Sequence, residues 1–145
     1  MGEQETIRVA RRSVEVFNAG DWGAVEALLT ADSVYEEVGT GRTLRGAREN
    51  VEVLRGWKAA FPDARGTITN ALATGDTAVL EVTWQGTHSG DLATPMGTVP
   101  ATGRTVTVKA AMVIEVENGK VKAERHYLDA AGMLAQLGLG ASATA

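Results

Sequence analysis

The stretch that most constrains the fold is residues 106–129, VTVKAAMVIEVENGKVKAERHYLD. Val106, Val108, Ala110, Met112, Ile114 and Val116 alternate with Thr107, Lys109, Ala111, Val113 and Glu115. A period of two marks a β-strand with one buried face. Glu117-Asn118-Gly119-Lys120 then turns the chain into a second strand carrying Glu124, Arg125, His126 and Tyr127, followed by Asp129. Which of these side chains enters the protein depends on the turn, because a slip of one residue exchanges the faces of a strand. A two-residue type I′ turn at Asn118-Gly119 sets Val116 opposite Val121, Met112 opposite Arg125 and Ala110 opposite Tyr127. A three-residue loop with Gly119 as a left-handed bulge sets Met112 opposite Glu124, Ala110 opposite His126 and Val108 opposite Leu128. Only the second takes His126 and Glu124 to the apolar side.

The rest of the chain supplies helices first and strands later. Ile7, Ala10, Val14 and Phe17 have the three-and-four spacing of an amphipathic helix over 4–19, ended by Gly20. Asp21 is placed to cap a short second helix carrying Val25, Leu28 and Leu29. A short strand is expected over 33–38, then a turn at Gly39-Thr40-Gly41, then a helix over 46–61 with Leu54, Trp57 and Phe61 on one stripe before Pro62. Strands are expected over 67–73 and 77–88, and a Gly-, Pro- and Thr-rich loop over 89–103 leads into the hairpin. Asp129 is positioned to cap a last helix over 130–137. This order predicts an α+β domain: a curved antiparallel sheet wrapped over the early helices, with a pocket between them.

At 145 residues the chain can build one real core, and no linker or repeat divides it. We expect one domain over 1–139 and a flexible tail over 140–145. A net charge of −4 with no basic cluster argues against nucleic-acid binding. Cysteine is absent, which removes disulfides and thiolate metal sites. The opening MGEQETIRVARR lacks the apolar core of a signal peptide, and no apolar run is long enough to span a bilayer. A cytoplasmic domain with no membrane partner is the expectation.

Several segments, in order, resemble the SnoaL-like polyketide cyclase or ester-cyclase branch of the nuclear transport factor 2-like superfamily. They are RRSVEVFNAGDWGAVEALLTADSVYEE, LRGARENVEVLRGWKAAFPD, WQGTHSGDL, PATGRTV, ENGKVKAERHYLD and MLAQLGL. The resemblance implies a cone-shaped α+β barrel, a homodimer joined through the outer sheet and a deep apolar cavity. It also implies cyclisation, isomerisation, dehydration or epoxide opening without a cofactor, on a hydrophobic small molecule. It favours the bulged register, with His126 and Glu124 inside. Where the cyclases typically hold an aspartate acid/base, this chain has His126, and an imidazole can move protons at neutral pH.

The expected catalytic groups are therefore His126, Glu124 on the same strand face, and Asp129, which an N-cap role competes for. Tyr35, Glu37, Trp57, Phe61, His88, Ala110 and Met112 are the expected substrate-binding residues. Tyr35 or a bound water would stabilise an enolate or alkoxide. The position of Met112 can be polar and catalytic in the cyclases and is apolar here. Loop anchoring is the competing role for His88. No H-x-H or H-E-x-x-H spacing points to a metal. An epoxide hydrolase, with its Asp-Arg-Asp arrangement, and a non-catalytic binding protein are the alternatives.

Overall fold

The computed structural model describes residues 2–139, so the expected tail over 140–145 lies outside the described residues. In chain order the elements are α1 (Glu3–Ala19), α2 (Trp22–Leu28), β1 (Leu29–Glu37), β2 (Arg42–Arg45), α3 (Ala47–Ala60), β3 (Arg65–Thr74) and β4 (Thr77–Thr87). The small hairpin β5 (Leu92–Thr94) and β6 (Gly97–Val99) follows, then β7 (Thr105–Glu117), β8 (Lys120–Leu128) and α4 (Ala130–Gln136). Six strands form one sheet in the order β2-β1-β8-β7-β4-β3.

The amphipathic stripe of α1 buries Ala10, Val14 and Phe17, and the helix ends at Gly20. Asp21 caps α2 by accepting from the Ala24 amide at 3.1 Å. Helix α1 lies across β3 and β4, α3 across β1 and β2, and α2 joins the two helices. Val9, Ala10 and Val14 meet Leu80, Val82 and Ile114 in the larger core cluster. Leu80 and Ile114 are completely buried, and each contributes about 1.5–3 kcal/mol by leaving water. Phe61, Leu92, Val106 and Met133 form a second cluster at the other end of the sheet.

Two features of the sheet differ from expectation. The sheet is not antiparallel throughout: β1 and β8 run parallel, with Tyr35 beside Glu124 and Glu37 beside His126. Parallel neighbours need a long crossover, and here everything from β2 to β7 supplies it. Two short pairs also escape the pattern. Strand β2 is four residues, RTLR, on the sheet edge, and β5–β6 has three residues a side. Such lengths hold too few alternations to signal a strand.

The hairpin register needs a further correction. Asn118 and Gly119 both have positive φ, 51° and 77°, as a type I′ turn requires. Glu117 pairs with Lys120 and Val116 with Val121, so the expected three-residue loop at Gly119 does not form. The bulge falls at Lys122 instead, because Glu115 pairs with Ala123. One inserted residue exchanges faces wherever it sits, so His126 and Glu124 point inward and Arg125 outward. The slip runs the opposite way, however. His126 lies opposite Met112 rather than Ala110, Glu124 opposite Ile114 rather than Met112, and Ala110 opposite Leu128.

Candidate active site in an apolar cavity

The helices and the concave side of the sheet enclose a cavity of about 120 Å³. Leu54 and Trp57 of α3 and Phe61 at its C-terminal cap wall one side, Phe17 of α1 and Trp84 of β4 another, and Met112 and Val108 the floor. Neither lysine nor arginine is among the lining residues. Its polar groups come chiefly from two strands. The parallel pairing of β1 with β8 places Tyr35 and Glu37 alongside Glu124 and His126 on one face.

His126 has both ring nitrogens committed. Nε2 lies 3.2 Å from Trp84 Nε1, and an indole N–H can only donate, so Nε2 accepts. The ring proton of the neutral imidazole is therefore on Nδ1, which donates to Glu124 Oε2 at 2.8 Å. The ring lies near-parallel to Tyr35, with centroids 6.1 Å apart. Glu124 Oε1 makes no hydrogen bond among the described residues.

Glu37 is completely buried. Its Oε2 accepts from Tyr35 Oη at 3.0 Å and from Trp57 Nε1 at 2.7 Å. Its Oε1 accepts from Thr40 Oγ1 and from Arg42 Nε and Nη2, the last two at 2.9 and 2.7 Å. Burial pushes this carboxyl up, but the hydrogen bonds from Thr40 and Trp57 and the Arg42 charge outweigh it and hold Glu37 below its ordinary range. It is thus a buried anion whose charge is met by a cation behind the cavity wall. Burial above all, and then the charges of Glu37 and Glu124, raise Tyr35 well above the ordinary tyrosine value. Its only proton is directed at Glu37, so an oxyanion in the cavity would have to compete with a carboxylate for it.

Seven of the ten expected site residues line the cavity: His126, Glu124, Tyr35, Glu37, Trp57, Phe61 and Met112. Three do not. Asp129 Oδ1 accepts from the Gly132 amide at 2.9 Å and caps α4. Ala110 shares the face of Val108 and Met112 but is not among the lining residues, and it sits opposite Leu128 rather than His126. His88 is buried against the Phe61 ring, and its Nδ1 accepts from the Thr102 amide at 3.2 Å. It anchors the segment that leads into β7, and its backbone ties to Arg104 and Gly103 do the same. Three contributors escaped the sequence reading. Trp84 reads as plain core from its alternation, Thr40 falls in the expected turn, and Arg42 carries no signal of its own. Nothing in the local pattern around the turn at 39–41 shows that it folds back over Glu37.

Arg125 points away from the cavity, as expected, and pairs with Glu115 at 2.7 Å, so it does not supply the arginine of the Asp-Arg-Asp arrangement that goes with the epoxide-hydrolase alternative. Among the described residues no group of three or more His, Asp or Glu side chains is placed to hold a metal ion. No helix among them is long and apolar enough to cross a membrane.

A curved sheet folded over helices, with an apolar cavity between them, is the cone-shaped nuclear transport factor 2-like fold. The chain belongs to the SnoaL-like polyketide cyclase family, whose profile matches residues 7–137. Among solved structures it is similar to a candidate SnoaL-like polyketide cyclase from Jannaschia sp. CCS1, with TM-score 0.83 and 17% identity over 93% of this chain and 92% of that one. It is also similar to IdmH, a candidate polyketide cyclase from Streptomyces antibioticus, with TM-score 0.78 and 29% identity over 92% and 99%. An LEH-like epoxide hydrolase of M. tuberculosis aligns with TM-score 0.73 and 25% identity over 98% and 96%. No curated protein matches the chain in sequence.

Proposed function

We propose that the protein is a small acid–base enzyme that moves a proton on an apolar, carbonyl-bearing substrate, with Glu124 and His126 as the proton-transfer pair. The observation that supports this most is the 2.8 Å contact between His126 Nδ1 and Glu124 Oε2 at the wall of an apolar cavity. A general base there works away from bulk water, where its charge is weakly screened. The base takes a proton from the carbon next to a carbonyl, the C–H pair becomes an enolate, and the proton returns at carbon or oxygen. That step is shared by cyclisation, isomerisation and elimination, and it needs no cofactor. Similarity to IdmH favours the cyclase or isomerase outcome on a polyketide-like compound. About 120 Å³ suits a compact ligand, since sites for larger ones typically run to about 300–1,000 Å³. A polycyclic substrate would require side chains such as Trp57 and Phe61 to move.

The test is solvent exchange. Small ketones and β-dicarbonyls are incubated with the protein in deuterated water, and deuterium uptake at the α-carbon is followed by NMR. Uptake faster than in buffer is the expected result. A compound that binds without exchange or turnover would favour a purely ligand-binding protein.

The same reading includes a homodimer through the convex face of the sheet. Ala111 and Val113 lie there half-buried, beside an exposed Tyr127, and such a face gains from being covered. Light scattering is expected to give twice the chain mass at micromolar concentration, and a monomer mass would remove the dimer from the reading.

A further inference from the structure

Trp84 has a position that plain core packing does not require. Its ring lies against Gly66, where an added Cβ would come within 2.6 Å of Cζ3 and 2.8 Å of Cη2. Gly66 is not at positive φ, so the backbone does not call for glycine there, but the indole does. The Phe17 ring meets the indole edge-on, with centroids 5.3 Å apart at 84°. The slot at Gly66 and the Phe17 ring hold the six-membered ring, and the pyrrole N–H is left aimed at His126 Nε2, 3.2 Å away.

We infer that Trp84 is a positioning residue that caps the Nε2 lone pair of His126, so that Glu124 Oε1 is the atom left to take a proton from a ligand. This deepens the acid–base reading above and rests on it for the word base; the cap itself stands on geometry. The chain of donors runs one way. Trp84 N–H donates to Nε2, Nδ1–H donates to Glu124 Oε2, and nothing among the described residues donates to Oε1. A basic lone pair already engaged by a donor is a poor proton acceptor until that donor leaves. With no lysine or arginine lining the cavity, the Glu124 carboxylate faces a ligand with its charge answered only by the imidazole N–H. The imidazole therefore orients the carboxylate and steadies its anion.

The experiment reads the cap without any substrate. In protein labelled with ¹⁵N at tryptophan and histidine, at a pH where the imidazole is neutral, a coupling across the hydrogen bond is expected between Trp84 Nε1 and His126 Nε2. Nε2 is expected at the shift of an unprotonated ring nitrogen. A protonated Nε2, or no coupling, overturns the inference. In Trp84→Phe, carbethoxylation of His126 by diethyl pyrocarbonate, read by mass spectrometry, should quicken roughly two- to tenfold, the factor one net hydrogen bond represents. Leu54→Ala widens the cavity and keeps the indole N–H, so it should raise that rate less than Trp84→Phe does. An equal rise in Leu54→Ala would mean that access alone sets it, which also overturns the cap. Gly66→Ala displaces the indole by contact and should lose the coupling; a coupling that survives would show that Gly66 is not what positions Trp84. Solvent exchange on ketones fails or succeeds independently of these readouts, so failure of the enzyme reading is distinguishable from failure of the cap.

Discussion

Glu124→Gln is expected to lower proton transfer by about 10²–10⁴-fold, the usual contribution of a positioned general base. The fold should be unaffected, since the amide keeps the size of the carboxylate and its oxygen can still accept from His126 Nδ1. Oε2 is engaged by Nδ1–H and Oε1 has no partner among the described residues, so Oε1 is the available base. His126→Ala should cost less in rate, about tenfold, because it removes a donor that orients the carboxylate rather than the accepting atom. Its stability cost should be about 2 kcal/mol, because the buried ring gives up its hydrogen bonds to Trp84 and Glu124. Both are read in the same deuterium-uptake assay, with urea unfolding as the check on folding. A His126→Ala loss that equals or exceeds that of Glu124→Gln would reverse the division of labour. It would mean that the Trp84 N–H leaves Nε2 when a ligand enters.

Replacing Glu37 should have the largest effect on stability. Glu37→Ala leaves Tyr35, Thr40, Trp57 and Arg42 without their common acceptor in a completely buried place. Removing one partner of a buried pair typically costs about 3–5 kcal/mol. Glu37→Gln should cost less, since one oxygen can still accept, but its amide hydrogens then face other donors. The pH dependence has a definite sign. The folded-state value is held below the ordinary 4.5, so the contribution is present in full above that value. It is lost as pH falls through the lower, folded value. Urea midpoints at about pH 7 and about pH 4 should therefore differ more in wild type than in Glu37→Ala. A cost of under about 1 kcal/mol for Glu37→Ala, as for an exposed pair, would show that the cluster is replaceable by water.

These two carboxylates share a face and divide the work by their partners. Glu37 has four neighbours donating to it, the Arg42 cation among them, so it is committed to holding Tyr35 and Trp57 in place. Glu124 has an imidazole N–H and one unengaged oxygen. The difference lies in what reaches each from outside its own strand.

The sequence by itself determined the alternation of β7, the helices ended by Gly20 and begun by Asp21, and the order of elements that makes the fold α+β. It also put Glu124 with His126, and Tyr35 with Glu37, because a period of two is a property of any strand. Even the turn at Asn118-Gly119 was written in residues that accept positive φ. The bulge at Lys122 was not, since an extra residue in a ladder depends on how two strands twist against each other. That bulge set His126 opposite Met112 and Leu128 opposite Ala110. Only the tertiary structure decided that β1 and β8 lie side by side and parallel, because contacts so distant in sequence leave no local trace. The same holds for Arg42 folding over Glu37, and for Trp84 reaching His126 across a slot left by Gly66. A short-range pattern records which face a side chain takes, and the partners it finds there depend on the packing of the whole chain.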